Sequence, residues 1–272
     1  MHRLSRRHLM QGAAALGATA ALAAPARVLA QSAGYAEQAA SLGQLHALVV
    51  QKDGAELFAS APRGPGLDRV ANVKSVSKTL LALLTGIAIE QGKIAGTDAR
   101  VLPLLGRAPT GDARDDLTVG HLLSMQTGLM RTSGAGYGAW VSSGNWVDYV
   151  LEGDLAGQPG GRFLYSTGGW HVLGAVLARA TGQSLLSLAR AGLGQPLGIE
   201  MPPWVRDPQG RYLGGNEMAL SPRGLARVAQ MALDGGRWNG VQVVPEAWLA
   251  RSWEPRARSP FSGDQYGYGW FL

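Results

Sequence analysis

"KSVSKTLLALLTG" (Lys74–Gly86) sets a serine three residues before a lysine, at the mouth of a long apolar run. Residues three apart on a helix share a face, so Ser75 and Lys78 point the same way if a helix starts here. Two readings are open. In one, Ser75 caps the helix and Lys78 is a solvated first-turn residue. In the other, Ser75 is a nucleophile and Lys78 is its base, which requires a neutral amine. The apolar residues Leu80, Leu81, Leu83, Leu84, Ile87 and Ile89 cover nearly the whole circumference of a helix predicted over Val76–Gln91 and closed by Gly92. Such a helix is buried on most sides. Burial lowers a lysine pKa from its reference of about 10.4. The positive potential at a helix N-terminus also disfavours an ammonium and favours an oxyanion nearby.

A second stretch bears on the choice. "GGRFLYSTGGWHVLGAVLARATGQSL" (Gly160–Leu185) places Tyr165, Ser166 and Thr167 in a glycine-flanked loop before a helix over Gly168–Gly182. A tyrosine there is able to relay a proton between a serine, a lysine and a leaving group; taken alone, it reads more readily as an aromatic packed beside Phe163. Tyr137, Trp140 and Trp146 fall between the two stretches. They are candidates for an apolar acyl pocket or for ordinary core packing. "GGNEM" (Gly214–Met218) reads as a cleft-edge loop.

Elsewhere the pattern is mixed. Asp53-Gly54 joins two β-prone runs into a hairpin, and Asn239-Gly240 marks a second tight turn. Ser221 and Pro222 open a helix as N-cap and N1. Strand signals lie toward both ends of the chain, with helices between. This predicts an α/β (α+β) lobe with an antiparallel sheet drawn from both chain ends, and a mainly helical lobe from about 95 to 210.

The 272 residues begin with "SRRHLM" (Ser5–Met10), a twin-arginine stretch, followed by an Ala-rich segment and "VLA" (Val28–Ala30). Residues 1–30 read as an export signal with Gln31 as the first mature residue, and imply a periplasmic or secreted protein. The apolar part is shorter than the roughly 20 residues of a membrane-spanning helix, so no stable span is expected once the signal is removed. Residues 1–30 hold Arg3, Arg6, Arg7, Arg27 and no acid, which leaves 21 basic and 19 acidic residues, or +2 against +6 for the whole chain. That balance gives no nucleic-acid footprint. With no cysteine, disulfides and thiolate chemistry are excluded. No Gly-x-Ser-x-Gly elbow surrounds a serine, and no His-Glu-x-x-His occurs. His46, His121 and His171 read as structural, and no metal or cofactor is called for.

Taken together, "SVSK" before a helix ending "EQGKI" (Glu90–Ile94), "LTVGHLLSMQTGL" (Leu117–Leu129), "QPGGRFLYSTGGWHVLGAVLARATGQSL" (Gln158–Leu185) and "QPLGI" (Gln195–Ile199) resemble the serine β-lactamase and penicillin-binding-protein superfamily. The likeness is greatest to its class C β-lactamase, esterase and 6-aminohexanoate-dimer-hydrolase branch, and runs from Leu45 to the C-terminus. It implies a β-lactamase/transpeptidase-like fold, with Ser75 as nucleophile, Lys78 as general base and Tyr165 as the tyrosine of the Tyr-x-Asn motif. The Ser75 N–H would form half of an oxyanion hole. The implied activity is hydrolysis of a small-molecule ester or amide, or a peptide-like substrate, through an acyl-enzyme. β-Lactamase or D-Ala-D-Ala peptidase activity shares that chemistry, and a non-catalytic cell-wall or ligand-binding relative is the alternative of another class. Two departures stand out. Thr167 occupies the Asn position and is assigned to substrate binding with Tyr137 and Trp140; a threonine hydroxyl offers a substrate amide less than a carboxamide does. The family's Lys/His-x-Gly strand, which follows a segment like "YGYGWFL", is not reached by Leu272. The sequence is therefore expected to be a fragment of a longer product, with C-terminal strands missing, rather than a damaged relative.

Overall fold

The computed structural model describes residues 34–272. The signal-peptide reading of 1–30 and the processing point at Gln31 lie outside the described residues. The chain divides into two compact units, meeting at Arg69 and Val70.

In the first unit, helix α1 covers 34–41 and is followed by the predicted hairpin, β1 (Leu48–Lys52) and β2 (Ala55–Ser60). Asp53 (φ 51°) and Gly54 (φ 77°) both take left-handed backbone, as a two-residue hairpin turn requires.

The second unit is mainly helical. Strand β3 (Ala71–Asn72) leads into a 3-10 turn at Lys74–Val76 and then α2 (Ser77–Glu90). The short helices α3 (Val101–Leu104), α4 (Val119–Leu123), α5 (Tyr137–Val141) and α6 (Trp146–Glu152) precede the long α7 (Thr167–Thr181). Next come α8 (Leu185–Ala189), a π turn over Arg190–Gly194 and α9 (Gln195–Leu197). Strand β4 (Ala219–Leu220), α10 (Pro222–Leu233), the hairpin β5 (Arg237–Trp238) and β6 (Val241–Gln242), α11 (Glu246–Ser252) and the pair β7 (Ala257–Arg258) and β8 (Gln265–Tyr266) complete it. Between Asn72 and Ala219 the described residues hold helices and isolated bridges only. Helices therefore predominate in this stretch.

The fold class is the expected mixture of helices and small antiparallel sheets. Strand pairing differs in detail from a joint sheet drawn from both chain ends. The described strands form four two-stranded ladders, β1-β2, β3-β4, β5-β6 and β7-β8. Three of them are local, because short connections let neighbouring segments satisfy each other's backbone groups. Only β3 and β4 are far apart in sequence, and that pairing joins the segment before Ser75 to the segment after Met218.

Helices α2 and α7 form the centre. Leu80, Leu81 and Leu83 of α2, and Trp170, Val172, Leu173, Val176 and Leu177 of α7, are fully buried. Among the described residues no single helix is long and apolar enough to cross a membrane. Helix α11 closes on α2 at Gly86, where an added Cβ would stand 2.1 Å from Trp248 Cδ1. Trp248 Nε1 donates to the Ala82 carbonyl at 3.0 Å, so retreat of the ring would break that bond. Alanine in a helix interior is favoured over glycine by about 1 kcal/mol. Overpacking a tight core costs about 1–3 kcal/mol and occasionally more. The clash outweighs the propensity, and Gly86→Ala is expected to lower the urea midpoint of unfolding; a variant as stable as the parent would contradict this packing.

Candidate active site

The backbone around Ser75 rules out the capping role. Neither the 3-10 turn at Lys74–Val76 nor α2 has a side-chain cap bond, so Ser75 caps nothing. Its hydroxyl lies 3.1 Å from Lys78 Nζ instead. The capping-type work falls to Ser77, whose Oγ donates to the Lys74 carbonyl at 2.5 Å and accepts the Met218 N–H at 3.1 Å. Ser75 is exposed and Lys78 is only 2% exposed, so a reachable hydroxyl sits over an interior amine. Among the described residues the Ser75 N–H has no acceptor within the protein.

Lys78 Nζ is held from behind. The Gly215 carbonyl accepts from it at 2.7 Å, and Thr167 Oγ1 lies 3.4 Å away. No carboxylate pairs with it among the described residues. Burial alone lowers its pKa from 10.5 to about 7. The Tyr165 ring, whose centroid is 5.0 Å from Nζ, works the other way by attracting a cation. A cation–π contact is worth about 0.5–2 kcal/mol, whereas full burial moves a lysine by up to 3–5 pKa units, at about 1.4 kcal/mol each. Desolvation therefore wins.

The acceptor for Lys78 comes from the Gly214–Met218 loop, which is pressed onto α7. A Cβ on Gly214 would lie 2.4 Å from the Trp170 carbonyl; one on Gly215 (φ 75°) would meet Trp170 Cβ at 2.5 Å and Lys78 Cγ at 3.0 Å. Only glycine allows this approach. The Gly214 N–H donates to His171 Nδ1 at 3.2 Å, which leaves the proton on Nε2 to bond Asp207 Oδ2 at 3.1 Å. His171 is fully enclosed, and burial, opposed in part by Asp207, holds its pKa below the usual value. Burial raises the Asp207 carboxyl, but hydrogen bonds from His171 and Arg211 outweigh it and leave the pKa lowered. A neutral histidine thus anchors the loop that anchors the lysine.

On the other side of Ser75, Lys74 (φ 47°) and Glu217 (φ 67°) are both left-handed without being glycine. Their side chains form an ion pair at 2.8 Å, and Glu217 also bonds the Asn72 amide. Asn72 Oδ1 accepts the Lys74 N–H at 2.7 Å. Such backbone costs on the order of 1–3 kcal/mol per residue and persists only where its surroundings over-determine it.

Ser75, Lys78 and Tyr165 line one cleft of about 220 Å³, with Thr79, Tyr266, Gly269, Trp270 and Phe271. The Tyr266 phenol is buried, and that burial, with Tyr165 a lesser cause, raises its pKa. The three sequence candidates for chemistry are therefore together. The binding candidates are not. Thr167 is buried behind Lys78, its hydroxyl bonded to Ser133 Oγ at 3.0 Å, and does not line the cleft. Trp140 is 0% exposed; it packs against Tyr137, Trp146 and His171 and donates Nε1–H to the Trp146 carbonyl, so it is core rather than pocket wall. Tyr137 is half-buried, and its hydroxyl accepts from Asn216 at 3.4 Å. His121 closes a capping box with Thr118 at the start of α4. Missed in the sequence were Ser133, the Asn72–Lys74–Glu217 cluster and the Tyr266–Phe271 wall. The glycine pair in "GGNEM" was the signal for the loop.

The chain belongs to the beta-lactamase family, whose model matches residues 7–272, and with it to the serine hydrolases. Solved structures of the same fold include EstCE1, a hydrolase with promiscuous acyltransferase activity, at 21% identity and TM-score 0.70 over 90% of this chain and 82% of that one. A protein assigned as a β-lactamase from Bacteroides dorei DSM 17855 aligns at 19% identity and TM-score 0.70, covering 88% and 78%. Another, assigned as a 6-aminohexanoate-dimer hydrolase from Bacillus anthracis, aligns at 17% and 0.70, covering 83% of this chain and 64% of its own. No curated protein sequence matches the chain.

The Lys78 pKa has a consequence for stability. In the folded protein the amine releases its proton near pH 7, and in the unfolded chain near 10.5. Between these values the unfolded state binds more protons, so stability rises with pH. Below pH 7 the full penalty of burying the ammonium is present; above about 10.5 it is gone. Wild type should gain on the order of a few kcal/mol relative to Lys78→Met across this window. Parallel pH–stability curves from denaturant titrations of the two proteins would contradict a neutral Lys78.

Proposed function

We propose that the protein hydrolyses a small ester or amide through an acyl-enzyme on Ser75. The observation that carries this is the buried, carboxylate-free Lys78 amine at 3.1 Å from an exposed serine hydroxyl. A neutral lysine has two N–H donors and one lone pair. Gly215 O and Thr167 Oγ1 stand where the donors go, and the lone pair is left for the Ser75 hydroxyl.

In the first half-reaction Lys78 accepts the Ser75 proton as Oγ attacks the carbonyl carbon. The oxyanion forms beside the unpaired Ser75 N–H, at the head of α2, where backbone donors and the helix potential favour negative charge. Collapse breaks the carbonyl-to-leaving-group bond. The leaving oxygen or nitrogen takes a proton from the Tyr165 phenol, which recovers one from the Lys78 ammonium. Water then attacks the acyl-Ser75 ester with the same base, releasing the acid and restoring Ser75. The twin-arginine leader supports the reading that this occurs outside the cytoplasm. The family and its neighbours, which include β-lactamases as well as other hydrolases, support hydrolysis in general; the enclosed Thr167 hydroxyl is what favours an ester over a β-lactam amide.

A fluorophosphonate reagent should add one adduct to Ser75, read by mass spectrometry, and Ser75→Ala should remove it together with ester hydrolysis. Hydrolysis that survives Ser75→Ala would sink the proposal, and a Ser75 that never acylates would favour a ligand-binding role. The acylation rate should climb with pH through about 7, tenfold per unit well below it, as Lys78 loses its proton. A flat profile from pH 5 to 9, measured as kcat/KM for a neutral ester, would show that some other group is the base.

A further inference from the structure

A second cleft, of about 260 Å³, opens on the far side of Tyr165. Arg131, Arg162 and Arg258 line it together with Phe163, Phe261 and Tyr165 itself. No acidic side chain lines it, and none of the three arginines forms an ion pair among the described residues. Arg131 lies over the Phe261 ring, 5.1 Å from its centroid, and Arg258 donates to the Gly263 carbonyl at 2.7 Å. Those contacts orient two guanidinium groups without neutralising them. Five other arginines of the unit, Arg100, Arg107, Arg114, Arg211 and Arg256, pair with a carboxylate, while Arg190, Arg206, Arg227, Arg237 and Arg251 bond neutral oxygens; the three here differ in sharing one cleft. Phe261 is 67% exposed and forms an aromatic face at the rim.

Three like charges in one concavity repel each other and raise the local concentration of anions. A guanidinium fork binds a carboxylate through two parallel hydrogen bonds, and an aromatic face beside it suits a flat or apolar segment. Tyr165 is a wall of both this cleft and the Ser75 cleft. A molecule with its carbonyl at Ser75 can therefore extend past Tyr165 into the arginines. With Tyr165 as the proton donor proposed above, this side is the leaving group's.

We propose that the Arg131–Arg162–Arg258 cleft is a substrate subsite, and that the preferred substrates carry an anionic group, such as a carboxylate, on the leaving-group side of the scissile bond. The inference rests on the hydrolase reading above for its catalytic consequence, though not for its binding consequence.

The test uses para-butanoyloxybenzoate and its methyl ester, which differ in one charge. Wild type should hydrolyse the anion with a kcat/KM at least tenfold higher at low salt, and the margin should shrink as salt rises. Arg131→Gln, Arg162→Gln and Arg258→Gln should each cut kcat/KM for the anion several-fold and together erase the preference, leaving the methyl ester within about twofold. Equal rates for the two esters, or a preference that survives the triple variant, would overturn the proposal. Should neither ester be turned over, the hydrolase reading fails and the subsite is judged by calorimetric titration with para-hydroxybenzoate. Binding by wild type that the triple variant loses would support the subsite; no difference between the two would reject it.

Discussion

An amine inside an apolar helix pair, with no carboxylate to balance it, is the constraint around which the site is organised. Lys78 is 2% exposed, and only uncharged oxygens reach it. A buried ammonium of this kind costs several kcal/mol, and the neutral amine avoids that cost. Each surrounding feature keeps that solution in place. The apolar wrap of α2 supplies the low dielectric, the Gly215 carbonyl fixes the amine's direction, and Thr167 takes the second donor position. A carboxylate in place of that neutral carbonyl would instead favour the charged lysine.

The support runs deeper than the residues that touch Lys78. Gly215 is placed by Gly214, Gly214 by His171, and His171 by Asp207, in a line of hydrogen bonds through the core. Each member is satisfied, as buried polar groups must be. On the exposed side, two left-handed residues, Lys74 and Glu217, face each other through an ion pair across the β3-β4 ladder. That pair is partly exposed, so its own contribution to stability is small. Its value is geometric: it ties the turn that carries Ser75 to the loop that holds Lys78, so that the two cannot drift apart independently.

What the sequence disclosed follows from how local each signal is. The Ser75–Lys78 spacing, the Asp53-Gly54 and Asn239-Gly240 turns and the Ser221-Pro222 start depend on a few adjacent residues, and all of these are where periodicity and turn chemistry put them. Tyr165 became readable only through the family resemblance, because a lone tyrosine after a glycine pair is more readily a packed ring. Trp140 illustrates the failure. An aromatic near the site in sequence looks like a pocket wall, yet its ring is enclosed by Trp146 and His171, and no pattern within α5 reveals that. Strand pairing was hidden for the same reason. A two-residue strand has no period to detect, and the β3-β4 ladder joins segments far apart in the chain.

The threonine at position 167 shows how one substitution redistributes a site. An asparagine there would carry a carboxamide long enough to reach past Lys78 and offer a donor and an acceptor to a substrate amide. Thr167 has one hydroxyl on a short β-branched stem, and that hydroxyl is spent on Ser133 and Lys78. The lysine keeps its support, while a bound amide loses a partner it would otherwise have had. An ester, with no N–H to satisfy, loses nothing. Unmet hydrogen-bonding groups in a desolvated cleft cost about 1–3 kcal/mol each, so the proposed acyl-enzyme chemistry would favour esters over amides by about one to two orders of magnitude.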